Sequence, residues 1–262
     1  MKTISISNRK GGVGKTTTSH NLASGLAMKG FKVLLIDFDE QRNLSRTVIP
    51  SNLANLKTIF NLLQGEDISQ CIYKTKNSNL NIIIGDEKLL NADKIFIDID
   101  SPYLLKKQLD RVKNYFDFCI IDTPPHLGIV NVNSMTASDE IIIPMEASTY
   151  SMEGLSGIIE TFQKVKQFTN KDIKIGGVLI TKYEGRTIFK KSIRKELDEI
   201  SKKIGLPVYD TTIRKGVAIE KSQSEKKSIF EYDSKSNVAT DYQDFINEYL
   251  SKNNIKGVKK NA

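Results

Sequence analysis

Residues 3–17 read Thr-Ile-Ser-Ile-Ser-Asn-Arg-Lys-Gly-Gly-Val-Gly-Lys-Thr-Thr, and this stretch decides the fold. Its first residues predict a strand, its glycine-rich middle predicts a loop, and Lys15 begins a helical pattern that runs to Lys29. A glycine-rich loop between a strand and a helix can hold phosphate, because glycine lets several backbone N–H groups converge on one anion. The sequence therefore predicts a phosphate-binding loop.

Two lysines of this loop have different expected roles. Lys15 would reach the β- and γ-phosphates, and the hydroxyl of Thr16 would bind Mg²⁺. The ordinary P-loop has glycine six residues before its lysine, where this chain has Arg9. Lys10 lies too early to share a phosphate with Lys15 from the same direction, and one use for it is to reach the nucleotide of a second subunit. The predicted nucleotide contacts of the loop are Gly11, Gly12, Val13, Gly14, Lys15, Thr16 and Thr17.

Strand-like runs alternate with longer helical patterns along the rest of the chain. The predicted strands are Thr3–Ser7, Lys32–Asp37, Leu80–Gly85, Phe118–Asp122, Glu140–Pro144 and Lys174–Thr181. The predicted helices are Lys15–Lys29, Leu53–Leu63, Leu104–Tyr115, Met152–Phe168, Thr187–Ile204 and Val238–Leu250. Unbroken apolar strands are typical of a parallel sheet that is covered on both faces. We therefore expect the α/β class, with a doubly wound, mostly parallel sheet and helices on both faces, as in P-loop NTPases.

Aspartates at or just after the ends of two of these strands indicate residues that bind a metal ion and orient a water molecule. Asp37 and Asp39 are two residues apart and would point the same way in a strand. One can support Mg²⁺ while the other orients an attacking water, at the sheet edge where ligands bind in such folds. Asp122 ends an apolar strand, where it can hold Mg²⁺ through water. The predicted metal residues are Thr16, Asp37 and Asp122.

Composition excludes several classes of protein. The apolar share is 39% and the charged share 27%, which excludes a disordered or fibrous chain. No apolar run of ~18 residues is present, so no transmembrane helix is expected. Two cysteines, Cys71 and Cys119, cannot build a disulfide framework or a four-ligand zinc site. We expect one domain over residues 1–251, a basic tail over 252–262, no further N-terminal module and a cytoplasmic location.

The phosphate loop resembles the deviant Walker A motif of the ParA/MinD class of P-loop ATPases. Residues 33–45 and 118–125 resemble that family's switch I and its Walker B and switch II, and the resemblance continues through residues 128–155. It implies an ATPase with ATP and Mg²⁺ as cofactors. It also implies catalytic roles for Lys10, Lys15 and Asp39, with Asp39 activating the water.

Two departures from the family pattern lie in these switches. Glu40 stands where the family usually has proline, which could loosen switch I or alter the rate of hydrolysis. His126 stands where the family often has serine, and we do not expect it to be catalytic.

The carboxyl-terminal third resembles the family's DNA-contacting region. The segment 180–187 resembles the end of a strand and the start of a long helix, with Thr181 expected at the nucleotide and Arg186 at the position of a DNA-contacting arginine. The resemblance gives Arg214 and Lys215 two alternative roles, at the DNA surface or at the nucleotide, because the family also uses this region to border the adenine. Arg214 replaces a family proline and Ala218 a family arginine. The predicted DNA-binding residues are Arg186, Lys190, Lys191, Arg194, Lys195 and Lys215.

The surplus of positive charge lies in the same third. The chain carries a net charge of +8, and the sequence places +6 in residues 182–227 and +4 in residues 252–262. Few aromatic residues interleave these lysines and arginines, so stacking on single-stranded bases is not expected. Binding to duplex phosphates without sequence preference is the better interpretation.

The resemblance implies a DNA-partition ATPase. In that family ATP drives a sandwich dimer, the dimer binds double-stranded DNA nonspecifically on the nucleoid, and a ParB-like centromere-binding protein stimulates hydrolysis and release. The alternative is a MinD-like ATPase that cycles on membranes. The tail offers only Ile255 and Val258 as apolar anchors, which favours a partner other than a membrane. Cluster-carrying relatives are disfavoured, because the two cysteines supply no plausible ligand set.

Overall fold

Eight strands form one sheet in the computed structural model, which describes residues 1–49, 53, 55–146, 151–184, 195, 197–199, 201–202 and 205–257. The strands are β1 (Lys2–Ile6), β2 (Val33–Asp37), β3 (Ile72–Lys74), β4 (Leu80–Ile83), β5 (Phe118–Asp122), β6 (Glu140–Glu146), β7 (Lys174–Tyr183) and β8 (Val208–Arg214). Their order is β3-β4-β2-β5-β1-β6-β7-β8. Every neighbouring pair is parallel except β3 with β4. The predicted mostly parallel sheet is therefore confirmed.

Helices connect the strands over the described part of the chain. They are α1 (Lys15–Met28), α2 (Asn43–Val48), α3 (Ile59–Leu63), α4 (Ile68–Cys71), α5 (Ala92–Ile95), α6 (Leu104–Leu109), α7 (Ile129–Thr136), α8 (Ser151–Phe168), α9 (Val217–Ser224), α10 (Ile229–Asp233) and α11 (Asn237–Lys252). Short 3₁₀ turns cover Glu87–Asn91 and Ser101–Tyr103. Among the helices described, none combines the length and the apolar character that crossing a membrane requires.

The apolar strands are buried on both faces, as the sequence predicts. In β2, Val33 and Leu35 belong to a core with α1, α10 and α11. Leu34 and Ile36 belong to a second core on the opposite face, with α3 and α6. Successive strand residues point to opposite faces, so a strand that is apolar at every position needs helices on both sides. This packing confirms the doubly wound class.

Two predicted helices are shorter than the sequence indicates. The helix expected over 53–63 begins at Ile59, because Thr58 is its N-cap and forms a capping box with Asn61. The helix expected over 104–115 ends at Leu109, after which backbone bonds of the i to i−3 type form turns. Only parts of the helix expected over 187–204 are described, and those residues are helical.

Strands β3 and β8 lie outside the predictions altogether. The edge strand β3 has only three residues, too few to produce a visible alternation. In β8, exposed and half-buried residues interrupt the apolar pattern. Both strands depend on their neighbours in the sheet, which a local pattern does not reveal.

Candidate functional site

The carboxyl ends of β1, β2 and β5 meet in the middle of the sheet. Asp37 at the end of β2 lies opposite Asp122 at the end of β5. The glycine-rich loop follows β1, and Lys15 begins α1 directly after it. A cleft of about 720 Å³ opens over this edge. Its lining includes the predicted residues Gly11, Gly12, Gly14, Lys15, Thr16, Thr17, Asp39, Thr181, Arg214 and Lys215.

The loop backbone adopts a conformation that requires glycine. Gly12 and Gly14 have φ angles of 73° and 87°, in the left-handed region that L side chains rarely adopt. A Cβ added at Gly12 would meet no atom within 4 Å, so backbone conformation and not space demands glycine there. Thr181 at the end of β7 donates its hydroxyl to the carbonyl of Val13 at 2.8 Å. The loop is thus anchored to β7, and the N-terminus of α1 borders the cleft, as anion binding requires.

Lys15 is buried in the loop with its ammonium group turned back on the chain. Its Nζ donates to the carbonyl oxygen of Lys10 at 3.1 Å. Burial lowers the pKa of Lys15, and the nearby carboxylates of Asp122 and Asp39 partly offset this. A desolvated ammonium that is held only by a neutral carbonyl would donate strongly to an anion, because phosphate oxygens would supply the missing counter-charge.

Asp122 has the chemistry of a cation site. It is fully buried, and its Oδ1 accepts a hydrogen bond from the hydroxyl of Ser19 at 3.0 Å. Its Oδ2 has no hydrogen-bond partner among the residues that the structure describes. Burial, followed by repulsion from Asp37, raises the pKa of Asp122 to about 8, and a hydrogen bond from Thr16 opposes this rise. An unpartnered buried carboxyl oxygen beside a threonine hydroxyl fits a hard divalent cation.

The rest of such a cation's coordination shell would come from outside the protein. No group of three or more His, Cys, Asp or Glu side chains within the described ranges could hold a metal by itself. Magnesium commonly binds through one or two protein oxygens together with phosphates and water. The residues present therefore fit Mg²⁺ in company with a nucleotide.

Asp37 is engaged by the turn that follows β2. Its Oδ2 accepts hydrogen bonds from the backbone N–H of Ser45 at 2.8 Å and from the Ser45 hydroxyl at 2.6 Å. Its Oδ1 accepts from the N–H of Asp39 at 3.2 Å. Burial raises the pKa of Asp37 to about 6. In this structure Asp37 braces the β2–α2 turn, and Ser45 is a site residue that the sequence did not identify.

Asp39 lies beyond the end of the strand, so strand alternation does not set its direction. Its Oδ1 accepts a hydrogen bond from the N–H of Gln41 at 2.9 Å. Burial raises its pKa, and the Lys15 ammonium lowers it in part. Asp39 lines the cleft, whereas Asp37 does not appear among the described lining residues. A carboxylate at the cleft wall is placed to contact water there.

Arg214 is held by an acid that the sequence analysis missed. Its Nε and Nη2 donate to the two carboxyl oxygens of Asp241, each at 2.7 Å, and its backbone N–H donates to the same group at 2.9 Å. Lys215 forms a longer ion pair with Glu184 at 3.7 Å. Arg214 thus lines the cleft while its guanidinium is paired with Asp241.

The predicted DNA-binding residues fall largely outside the described part. Arg186, Lys190, Lys191 and Arg194 lie in residues 185–194, which the structure does not describe. Lys195 is exposed and helical.

Three further residues singled out in the sequence are not among the described residues that line the cleft. Lys10 is not among the described residues that line it, and its backbone N–H donates to Asn8 Oδ1 at 3.0 Å. The cysteines Cys71 and Cys119 are free and buried, as expected for small apolar side chains.

Comparison with known proteins finds relatives along nearly the whole chain. A family model described as an AAA domain matches residues 1–175. The chain is 36% identical to the sporulation initiation inhibitor protein Soj of Bacillus subtilis (strain 168), over 94% of this chain and 97% of that protein. It is 34% identical to the chromosome-partitioning ATPase Soj of Treponema pallidum (strain Nichols), over 96% of this chain and 98% of that protein.

A solved structure shares the fold. Cobyrinic acid a,c-diamide synthase from Mycobacterium smegmatis, with bound ADP and magnesium, superposes with a TM-score of 0.82. The two chains are 27% identical, and the match covers 98% of each. The neighbour shows that this fold accommodates an adenine nucleotide together with magnesium.

Proposed function

This chain belongs to the ParA/MinD family of P-loop ATPases, and we propose that it uses ATP hydrolysis to partition DNA. It is an ATPase that takes ATP and Mg²⁺. Its full-length similarity to Soj proteins supports a partition ATPase. The observation that carries the assignment is the buried Asp122 oxygen, which has no hydrogen-bond partner in the described part of the chain and lies next to Thr16 and the glycine loop.

The chain's own residues divide the work on ATP. Lys15 and the loop N–H groups would bind the β- and γ-phosphates, and Thr16 with Asp122 would hold Mg²⁺, directly or through water. When bound, Mg²⁺ neutralises charge on the phosphates. Asp39 would orient the water that attacks the γ-phosphorus, so that ATP and water give ADP and phosphate. Asp37 would keep the β2–α2 turn in place through Ser45 and thereby position Asp39.

DNA binding would depend on the nucleotide through dimerisation. We place DNA on the basic region from Arg186 to Lys215, where residues 182–227 carry a net charge of +6. Lys10 would reach the nucleotide of the second subunit in an ATP-bound dimer. Two basic regions joined in one dimer bind DNA more tightly than one, by effective concentration. Hydrolysis, stimulated by a centromere-binding partner, would release the dimer from DNA, which places the protein on the nucleoid between hydrolysis events.

A membrane-cycling role has less support. Ile255, one of the two apolar residues near the chain's end, packs against the core that α1 and α11 share. Its backbone N–H also donates to the carbonyl of Leu250 at 2.9 Å. A side chain that is packed in this way is not available to insert into a bilayer.

The test is duplex binding over a series of salt concentrations. Fluorescence anisotropy of a labelled random-sequence duplex would be followed with Mg-ATP, with Mg-ADP and without nucleotide. We expect tight binding only with ATP, and a logarithmic salt slope of about −0.9 for every phosphate contacted. Lys15→Ala should remove the ATP dependence altogether, because it cannot bind the phosphates.

Matched variants locate the DNA surface. Arg186→Ala/Lys190→Ala should reduce the salt slope by about 2, since each lost phosphate contact removes about one unit. The control, Lys164→Ala/Lys166→Ala, removes two exposed lysines from α8 and should leave the slope unchanged. Absence of ATP-dependent binding at low salt would overturn the proposed function, and a slope equal in both double variants would overturn the proposed surface.

A further inference from the structure

A small second cavity adjoins the nucleotide cleft, and no step of the ATPase reaction uses it. Its volume is about 120 Å³, a sixth of the 720 Å³ of the cleft, so it is too small for a nucleotide. We call it the second cavity, and it is lined by His20 and Ser24 of α1, Thr47 of α2, Lys76 of the β3–β4 turn and Lys226 of the α9–α10 turn. Thr47 and Lys226 also line the cleft, so the two sites share a wall.

One face of α1 brings two buried polar side chains to the second cavity. His20 and Ser24 are four residues apart, so they are neighbours on that face. His20 is 8% exposed and Ser24 is 6% exposed. Neither side chain makes a hydrogen bond with a residue that the structure describes. Because buried polar groups are nearly always hydrogen-bonded, two such groups in one cavity indicate a polar occupant.

The walls of the second cavity carry positive charge. Lys76 and Lys226 come from separate turns, and neither forms an ion pair with a described residue. A third lysine of the lining, Lys227, is paired with Glu225 at 3.7 Å. Glu231 is the one acid in the described lining, and its carboxyl group is occupied in capping the start of α10. Three lysines and one acid leave an excess of positive charge, which favours an anion as the occupant.

Lys226 stands at a backbone position that favours glycine. Its φ angle is 54°, in the left-handed region, and it lies just after the end of α9. There the backbone N–H of Lys227 donates to the carbonyl of Ser222 at 2.9 Å, a bond that is typical of helix ends closed by glycine. A strained backbone of this kind is found where the side chain has a use. Here the lysine brings an ammonium group to the wall between the second cavity and the cleft.

His20 can take part in anion binding as a neutral ring. Burial lowers its pKa to about 4, and the charge of Glu231 opposes this shift. A neutral imidazole has one nitrogen that donates a hydrogen bond and one that accepts. A phosphate group near neutral pH offers acceptor oxygens and, in its singly charged form, a hydroxyl donor, so it can pair with either nitrogen. The hydroxyl of Ser24 can donate to the same group.

We propose that the second cavity binds a compact phosphate group, supplied by inorganic phosphate or by a small phosphomonoester. His20 and Ser24 hydrogen-bond its oxygens, and the ammonium groups of Lys76 and Lys226 supply the counter-charge. Water could satisfy the two buried side chains but could not balance the lysines, so an anion fits the lining better than water does. This inference goes beyond the proposed function and does not rest on it.

The chain has only two histidines, which allows a direct test by NMR of the full chain labelled at histidine. His126→Gln leaves His20 as the only imidazole, so its ring Cε1–H resonance reports on the second cavity. Lys15→Ala in the same chain removes phosphate binding at the glycine loop. As inorganic phosphate is added at constant ionic strength, we expect this resonance to shift saturably, with a Kd of about 1 mM. Sodium chloride should not shift it.

Matched double variants of this chain test the lysines. Lys76→Ala/Lys226→Gly removes both ammonium groups, and glycine suits the left-handed backbone at residue 226, so the chain should fold normally. Loss of two charge-assisted contacts should weaken phosphate binding about tenfold or more. The control, Lys106→Ala/Lys113→Ala, removes two exposed lysines outside the described lining and should leave the affinity unchanged.

A second titration, with glycerol phosphate, identifies the source of the phosphate group. Tighter binding of the ester than of inorganic phosphate assigns the second cavity to a phosphomonoester, and weaker binding assigns it to the free ion. No saturable shift with either compound, or equal affinities of the two double variants, would overturn the proposal. A shift of the same resonance by a short DNA duplex would also overturn it, because the lysines would then hold nucleic acid. ATP-dependent duplex binding by the chain with Lys15 intact tests the proposed function separately.

Discussion

Asp37 and Asp39 show how two similar carboxylates acquire different tasks. Strand β2 ends at Asp37, so Asp37 is the last residue of the strand, while Asp39 belongs to the turn that follows. Sequence spacing predicts both acids at the cleft edge. It does not reveal Ser45, which lies eight positions further along the chain and donates hydrogen bonds to Asp37. Local alternation stops being informative where the strand stops, because the turn geometry then sets side-chain direction.

Asp39→Ala is expected to bind Mg-ATP and to lose turnover. The side chain lines the cleft and, among the described residues, accepts one backbone hydrogen bond, from the N–H of Gln41, so its removal leaves the loop intact. Loss of a group that orients water should lower kcat by about 100-fold or more. Phosphate release under saturating Mg-ATP measures turnover, and calorimetric titration measures binding. Turnover at the wild-type rate would disprove the role given to Asp39.

Asp37→Ala should act on stability instead. It removes the acceptor of three hydrogen bonds in a fully buried position and leaves donors of Ser45 and Asp39 without partners. We expect a loss of about 2 to 4 kcal/mol in the free energy of unfolding. Urea unfolding compares the free energy of unfolding of Asp37→Ala with that of Asp39→Ala. Equal stability of the two variants would contradict the bracing role of Asp37.

At the scale of elements, capping explains where sequence prediction of the helices succeeded and failed. Helix α1 has its start fixed by the left-handed Gly14, a signal visible in the sequence. The start of α3 depends on the Thr58–Asn61 capping box, which the apolar pattern before it obscured. Helix α7 is capped by Asp93 from a separate segment. A cap supplied from 36 positions away cannot be found by local reasoning.

Helix α1 contains a histidine that makes stability depend on pH. His20 is buried, and burial lowers its pKa to about 4 from an ordinary 6.5, despite the opposing charge of Glu231. The unfolded chain therefore binds the proton first as pH falls. The stabilisation is fully present above 6.5 and is lost as pH falls from 6.5 towards 4.

His20→Gln is expected to remove this pH dependence. Between about pH 7.5 and about pH 5, the wild type should lose about 2 kcal/mol more unfolding free energy than His20→Gln. Urea unfolding at the two pH values provides the measurement. His126→Gln is the control, because His126 is exposed, and it should behave like the wild type. An identical pH dependence in wild type and His20→Gln would disprove the assignment.

The contact between β8 and α11 makes a second prediction at this scale. Asp241 is nearly buried and joins Arg214 at the cleft wall to α11. Asp241→Ala should cost about 1 to 2 kcal/mol, a moderate figure because the half-exposed guanidinium of Arg214 can be solvated again. Thermal unfolding measures this loss of stability. The control is Asp244→Ala, which removes an exposed acid of the same helix. Equal stabilities would show that the pair contributes nothing.

At the scale of the whole molecule, the sheet was predictable and its edges were not. The central strands are apolar at every position because both faces are covered, and that pattern survives in the sequence. The edge strands β3 and β8 have neighbours on one side only, so their composition is mixed. The same logic applies to the cleft. Its floor comes from the centre of the sheet, whereas Gln223, which lines it, lies on α9, and Asp241, which holds Arg214 at its wall, lies on α11.

Lys10 makes the last prediction, which concerns two molecules at once. It belongs to the loop motif but not to the described lining of the cleft, and Asn8 holds its backbone N–H. A lysine that serves the nucleotide of another subunit should leave ATP binding to the monomer unchanged when it is removed. Lys10→Ala is therefore expected to bind Mg-ATP with wild-type affinity and to form no ATP-dependent dimer.

Sedimentation velocity in the Asp39→Ala background, where ATP persists, measures dimer formation by Lys10→Ala. Lys113→Ala, which removes an exposed lysine on a surface turn, is the matched control and should dimerise normally. Because DNA binding in the proposed cycle requires two basic regions in one particle, Lys10→Ala should also lose tight duplex binding. If Lys10→Ala dimerises with ATP as the control does, Lys10 acts within its own subunit and the reach across the interface is disproved.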